Sequence, residues 1–567
     1  MKIKHVFLIL IALAVALSAV FLSGTAEEPV TDVSTLYKNK DVDDTWSADD
    51  AQTIDLNAWA DGSVVTVTVK GDYVLTGSLN GQIVIEAPED AKVRLILNGV
   101  TITSPEGPAI YEKQADKLII TLAEGTENTL TDGAMVTDAD DTIGAALYAE
   151  DDLSVNGSGS LTVNGTQKHG IQSKADLIIA NGTITVSAVL DGIRGRNSVL
   201  VLGGEIRVTA GGDGIASTRT DADGKGWIVL AGGSVSVRTG DGAGAVRTSA
   251  NSMGGWGRRD DWGSVTSAAE DTISRKAVKA ATDLTVLGGT YTFDCADDGL
   301  HGVNVTVSGG SFSIQSGDDA LHADADLIIN AGTLDIAQCY EGLEGTNVTV
   351  NGGDIRIIAS DDGINAAGGT DGSGFGGWGR GGGMMGEGDD GSLLTVTGGT
   401  IAVTAGGDGL DSNGSIRITG GVTGVWAAST GGEGAIDYNG TGTISGGTLI
   451  VASAGGMMQS ARSLSGQSVM TLSASGSAGE TVTLLDESGQ VLGSFTPGNA
   501  FDTLMISSAG LETGGSCTVT GGSRTLYSGA VTDTTGGATA PGNGNNGFMN
   551  NGFGDNGGGH GRNRRGW

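Results

Sequence analysis

Four short phrases hold the residues best equipped for chemistry: Asp298-Gly299-Leu300-His301, Asp319-Ala320-Leu321-His322, Glu341-Gly342-Leu343-Glu344 and Asp362-Gly363-Ile364-Asn365. Their central small residues stand 21, 22 and 21 positions apart. Asp191, Asp213 and Asp408 open phrases of the same kind, and Asp297, Asp318 and Asp361 double the acid in three of them. If the period is structural, equivalent residues stack, and the carboxylates form a row with about 5 Å between members. Like charges so close repel unless a cation or a shared proton intervenes. An oxygen-only row suits calcium, a hard ion that takes six to eight oxygens in tolerant geometry. The candidate ligands are therefore Asp191, Asp213, Asp297, Asp298, Asp318, Asp319, Glu341, Asp361, Asp362 and Asp408. The competing reading is that each Asp bonds the backbone of its own turn.

His301 and His322 fall at equivalent places, and His169 directly precedes Gly170. The pair has two readings, a transition-metal site and a polar turn ladder, and the second is favoured. The few basic residues cluster: Arg194 and Arg196 follow Asp191, with Lys168, Lys174, Arg219 and Lys225 nearby. A polysaccharide lyase needs calcium against the uronate carboxylate and a base for the C5 proton. Arg194 and Lys168 are the candidates for that base. The competing and preferred reading has Arg194 in a salt bridge to the acidic row. No Ser-His-Asp order or nucleophile elbow is present, and the Gly-Gly pairs precede strands rather than helices, which excludes a phosphate loop.

Between the acidic phrases runs a second recurring pattern, as in Val305-Thr-Val-Ser-Gly-Gly-Ser-Phe-Ser-Ile314 and Val348-Thr-Val-Asn-Gly-Gly-Asp-Ile-Arg-Ile357. Alternating β-branched residues closed by Gly-Gly or Asn-Gly are strand-and-turn signals, and no period of 3.6 appears. Small-plus-apolar marks recur from Ala109-Ile110 through Gly170-Ile171, Gly192-Ile193, Gly214-Ile215 and Ala277-Val278 to Ala435-Ile436. A fixed step near 22 residues predicts an all-β solenoid of three short strands per coil. A β-sandwich would not keep so constant a period.

Composition agrees. The chain of 567 residues has 101 Gly, 6 Pro, 4% aromatic and 17% charged residues, and a formal charge of −35. So acidic a surface excludes nucleic acid and anionic lipid as partners, since phosphate contacts need Lys or Arg. Three cysteines (Cys295, Cys339, Cys517) give neither a zinc spacing nor a disulfide framework. Cys295 and Cys339, two periods apart, are expected at similar interior positions.

Residues 1–26, with Lys2, Lys4, an apolar run and Gly24-Thr25-Ala26, read as a signal peptide, which predicts a secreted protein with no membrane segment after cleavage. A membrane anchor is the alternative. Residues 27–62 read as a lead-in or N-terminal cap, 63–460 as the repeat domain, 461–530 as a C-terminal β cap or small β domain, and 531–567 as a disordered Gly/Asn-rich tail. Gly/Trp-rich insertions at 249–272 and 368–391 each carry Gly-Trp-Gly-Arg.

The runs Gly317-Asp-Asp-Ala-Leu-His322, Tyr340-Glu-Gly-Leu-Glu-Gly345, Ser360-Asp-Asp-Gly-Ile-Asn365 and Asp191-Gly-Ile-Arg-Gly-Arg196 resemble secreted carbohydrate-binding β-helix proteins of cellulolytic anaerobic bacteria. The resemblance covers roughly residues 60–460. It implies a right-handed parallel β-helix like that of pectate lyases, bound calcium, and binding rather than cleavage of polygalacturonate and cellulose. Carried over residue by residue, it marks the Asp and Glu members of the repeat and Arg194. The insertions and the tail depart from it. A neutral glycan also needs aromatic faces, for which Trp227, Trp256, Trp262, Trp378 and Trp426 are candidates, while Arg194 and Arg196 offer polar contacts. The expectation is a monomeric, non-catalytic polysaccharide-binding protein using calcium. A pectin-type lyase is the first alternative and a surface or matrix adhesin the second.

Overall fold

The computed structural model describes residues 32–138, 141–244, 273–367, 389–428, 434–454 and 465–532. The expected signal peptide, the tail and most of both Gly/Trp-rich insertions lie outside them. Among the described residues, helix is confined to Val33–Thr35, Asn39–Val42 and Leu56–Ala58. None of these is long and apolar enough to cross a membrane. The rest is strand joined by turns and bends, with most strands in one large, mainly parallel sheet of 38 strands.

The register is the predicted one. Ile171 pairs with Ile193, Ile193 with Ile215, Val278 with Leu300, Leu300 with Leu321, Leu321 with Leu343 and Leu343 with Ile364. A second ladder links Leu177, Val199, Ile228, Leu284 and Val305. A third links Ile184, Ile206, Val235, Tyr291, Phe312 and Leu334. Each coil thus gives one strand to each of three ladders and bonds its backbone to the next coil. Where Ile215 pairs with Val278 and Ile364 with Leu410, the extra chain leaves and returns without breaking the ladder.

Strand alternation fixes what is inside. In Thr183–Ala188, Ile184 and Val186 are buried while Thr183 and Thr185 face outward, as a period of two requires. The inward Val, Ile and Leu fuse into one core running through the coils. Tyr291 stacks on Phe312 with ring centroids 4.7 Å apart. Cys295 and Cys339 are both buried in the third ladder, opposite Ser316 and Ala359. The small residue after each repeat acid has a steric cause. A Cβ on Gly192 would stand 2.2 Å from Val208 Cγ1, so nothing larger than glycine fits there unless the interior gives way.

Both ends of the parallel stack are covered, as unpaired edges require. At the C-terminal end Phe501–Ser508 pairs antiparallel with Gly442–Ala454 and with Val469–Gly476. A four-stranded antiparallel sheet packs there around Phe495, Leu504 and Val519. At the other end Gln52–Asp55 pairs with Gly71–Glu86, and Leu56 is fully buried. Residues 33–46 do something the sequence did not indicate and run along the flank of the stack. Val33, Leu36 and Tyr37 cover Ile178, Leu200 and Val229, and Trp46 covers Val74 and Ile96. Asp41, 1% exposed, ties this strap down through Lys117 Nζ (2.6 Å) and Ser154 Oγ (2.6 Å).

Glu112 is the sharpest electrostatic anomaly near this end. It is fully buried, its Oε2 accepts the Asp151 N–H at 3.0 Å, and its Oε1 has no hydrogen-bond partner. Burial pushes its carboxyl up to about 7, with Asp151 and Glu150 adding to the rise. The folded state therefore holds a proton that the unfolded chain releases near pH 4.5. Stability should fall by about 3 kcal/mol as pH rises from about 4.5 to about 7. Chemical denaturation across that range is expected to show this slope in the native chain and lose it in Glu112→Gln.

Candidate functional site

The acidic phrases sit at the bend that leads into the first ladder. Gly or Ala follows each acid because the interior leaves no room for more, and the next apolar residue turns inward, as Ile193, Leu300, Leu321 and Leu343 do. The acids are thereby stacked, and most of them lose one oxygen to a structural task. Asp213 N–H donates to Asp191 Oδ1 (3.1 Å), Lys276 N–H to Asp213 Oδ1 (2.9 Å) and Asp319 N–H to Asp298 Oδ1 (3.2 Å). Glu341 N–H donates to Asp319 Oδ1 (3.2 Å), Asp408 N–H to Asp362 Oδ1 (2.6 Å) and Gly434 N–H to Asp408 Oδ1. These acids cap a backbone donor of the following coil, not of their own turn. Both readings of the sequence are modified by this: one oxygen staples two coils, and the other remains for chemistry.

What that second oxygen meets is set by the residue three positions on, which pairs from coil to coil in the first ladder: Arg194, Ala216, Lys279, His301, His322, Glu344, Asn365 and Asp411. Asp437 extends the column, because Leu410 bridges Ile436. The column turns from basic to acidic along the stack, and that change divides the site in two.

In the first half the acids have cationic partners. Arg194 Nη1 donates to Asp191 Oδ2 at 2.6 Å. Lys276, 3% exposed, occupies the place of an acid between Asp213 and Asp298; its Nζ reaches Asp298 Oδ2 and lies 3.4 Å from Asp297 Oδ1. His301 Nδ1 is 3.1 Å from Asp298 Oδ2. Burial opposes the charge on Asp298, but the Lys276 ammonium and His301 outweigh it and hold the carboxyl far below the usual range. The predicted row of carboxylates is therefore interrupted, and Asp297, Asp298 and Asp318 share their cluster with an ammonium group. His169, whose ring burial pushes down to about 4, accepts the Asp191 N–H at 3.2 Å.

His322 stands at the change of sign. Its Nδ1 is 2.9 Å from Glu344 Oε2 and 3.1 Å from Asp319 Oδ2. Burial works against the charged ring, but Glu344 outweighs it and moves the imidazole up to about 9. Asp319 is held well above the carboxylate range by burial, with Asp298 and Glu344 adding to the effect.

In the second half acid faces acid. Burial, Glu344 and Asp362 push Glu341 well above its ordinary range, and burial followed by Asp361 pushes Asp362 up to about 8. Asp408, Asp411 and Asp437 each bring an oxygen within 4.8 Å of the others. Asn365 gives its Nδ2 to Glu341 Oε2 at 3.0 Å and leaves its Oδ1 buried with no hydrogen-bond partner. An orphaned carbonyl oxygen amid carboxylates is chemistry suited to a hard cation.

Lys276, Glu344, Asn365, Asp411 and Asp437 were not among the predicted ligands. Counting three residues on from each repeat acid would have found three of them, Glu344, Asn365 and Asp411; Asp437 follows Gly434, which stands in an acid's place, and Lys276 directly precedes the Ala277-Val278 mark. The remaining candidates scatter. Arg196 is half exposed and 3.9 Å from Asp221 Oδ2. Lys168 lies beside His169, and its carbonyl accepts the Leu190 N–H. The packing bears on two of the aromatic candidates and corrects one of them, Trp426. Trp227 packs with the apolar patch beneath the strap, and Trp426, 8% exposed, donates its Nε1–H to Ala500 O at 3.1 Å. Trp426 offers no free face for a sugar, while Trp227 is only partly buried. Trp256, Trp262 and Trp378 lie outside the described residues.

Comparison with known proteins bears on this surface. A "Carbohydrate-binding domain-containing protein" of Acetivibrio thermocellus is 38% identical over 128 residues, 22% of this chain and 45% of that protein. The chain thus matches less than half of that relative's length. A solved structure described as "polysaccharide lyase-like protein from C. thermocellum, Gadolinium derivative" shares 27% identity, covering 48% of this chain and 95% of the other at a TM-score of 0.35. The family model for carbohydrate-binding domain-containing proteins matches residues 61–320 and 303–374. Those segments span more than half of the sequence and include the bends from Asp191 to Asp362, and the chain therefore belongs to the carbohydrate-binding domain-containing protein family.

Proposed function

We propose that this is a secreted, monomeric, non-catalytic protein that binds plant cell-wall type polysaccharide, polygalacturonate or cellulose, with calcium held along the acidic bends of a right-handed parallel β-helix. Right-handedness follows from the general rule for parallel crossovers. The observation that carries the reading is the acidic second half of the column: Asp408, Asp411 and Asp437 converge within 4.8 Å, and Asn365 holds an unpartnered buried oxygen one coil earlier. These residues would hold calcium, and calcium would supply the positive charge that an acidic surface needs to retain a uronate carboxylate. The chain's own residues fix the oxygens through the coil-to-coil staples. Binding is favoured over cleavage because Arg194, the first candidate base, is engaged by Asp191, with Nη1 2.6 Å from Oδ2, in the structural ion pair rather than free for a substrate proton.

The test is a pull-down of the full chain with polygalacturonate and with cellulose, each in calcium and in chelator, with the same samples assayed for unsaturated product. Calcium-dependent retention on polygalacturonate without product is expected. Asp411→Asn combined with Asp437→Asn should reduce that retention by at least about tenfold, one cation contact being worth 1.4 kcal/mol or more. Product formation would make the protein a lyase, and retention on neither glycan would leave the adhesin.

A further inference from the structure

We propose that Asp319, His322 and Glu344 form a site for a transition-metal dication of the zinc class, separate from the all-oxygen cluster and independent of any glycan. Three observations carry it. The first is convergence. His322 Nδ1 lies 2.9 Å from Glu344 Oε2 and 3.1 Å from Asp319 Oδ2. Ligand atoms about 2.0–2.1 Å from a tetrahedral ion stand about 3.3 Å apart, so a small outward shift admits the ion. The placement is rigid, since His322 pairs with Glu344 in the first ladder and Asp319 Oδ1 is stapled to the Glu341 N–H.

The second is an orphaned atom. His322 is fully buried, and its Nε2 has no hydrogen-bond partner. That nitrogen lies 3.8 Å from Asp324 Oδ1. An imidazole that gives Nδ1 to a metal keeps its proton on Nε2, and here Nε2 has a carboxylate ahead of it, the usual outer support of a metal-bound histidine. The ion gives both nitrogens of the ring a defined role.

The third is charge. A dication that displaces the protons held by His322 and Asp319 leaves a neutral imidazole and two carboxylates, whose two negative charges it cancels. The neighbouring Asp298 is already matched by Lys276 and His301. The His301 ring, 4.9 Å from that of His322, closes the other side. An imidazole ligand selects a borderline ion over calcium, which takes oxygen. Glu344, with 16% of its side chain exposed, marks the way in from solvent.

The experiment is calorimetric titration of the chelator-stripped full chain with zinc chloride in a large excess of calcium, paired with visible spectroscopy of the cobalt-loaded chain. One zinc per chain at low-micromolar Kd or tighter is expected, with the intense absorption of four-coordinate cobalt. His322→Gln and Glu344→Gln should each weaken zinc at least about 100-fold, while Asp411→Asn leaves it unchanged. The cobalt spectrum of the unaltered chain reads the ligand set even if a buried variant fails to fold. Absence of zinc uptake in excess calcium, a six-coordinate cobalt spectrum, or equal zinc affinity in folded His322→Gln would overturn the proposal.

Discussion

Replacing Lys276 with methionine is expected to destabilise the coils around it by about 3–5 kcal/mol, the usual loss when one partner of a buried ion pair is removed. Lys276 is 3% exposed, and its ammonium serves Asp298, itself 1% exposed, and Asp297. Methionine fills the volume and leaves Asp298 charged in a dry site. Hydrogen exchange at Ala277, Val278 and Ala280 should accelerate, because their N–H groups donate to the carbonyls of Asp298, Gly299 and His301 and so join these coils. Removing the stranded charge as well, in Lys276→Met with Asp298→Asn, should recover most of the loss. A double variant no more stable than Lys276→Met alone would show that packing rather than charge is what Lys276 supplies.

Asp41→Ala is expected to release the strap at a cost of about 3 kcal/mol, since Lys117 is left buried without its close partner. Its ammonium keeps only Asp152, at 3.9 Å. Trp46, which packs over Val74 and Ile96, should then shift its emission to the red, and protease should cut within 32–46 before touching the coils. Ser154→Ala, which removes only a hydroxyl partner, should cost about 1 kcal/mol and leave the strap docked. If Asp41→Ala leaves both emission and cleavage unchanged, the apolar contacts of Val33, Leu36 and Tyr37 suffice to hold the strap. Its release would expose part of the apolar stripe of Ile178, Leu200 and Val229, against which Leu202, Trp227, Ala231 and Leu287 also pack.

Much of the architecture was legible because a solenoid writes its geometry into its period. The pairings of Ile171 with Ile193 and of Leu321 with Leu343 are the sequence spacing itself, and the inward residues follow from strand alternation. The strap was not legible, since nothing in the composition of 33–46 says whether it closes an end or lies along a side. The long insertions hid the rest. Asp362 meets the Asp408 N–H across 46 positions, and Asp408 meets the Gly434 N–H across 26, so a fixed count fails where the site is most acidic.

The sequence by itself determined that acids recur at one bend and that Ile, Leu and Val point inward. Tertiary structure alone decided what each acid does. It assigned one oxygen of most repeat acids to the next coil's N–H, placed Lys276 within the row, and set Arg194 against Asp191 but Glu344 against His322. The reason is physical: residue type fixes the charge a group can carry. Its protonation and its partners depend on burial and on neighbours one coil away, which exist only when the coils are stacked.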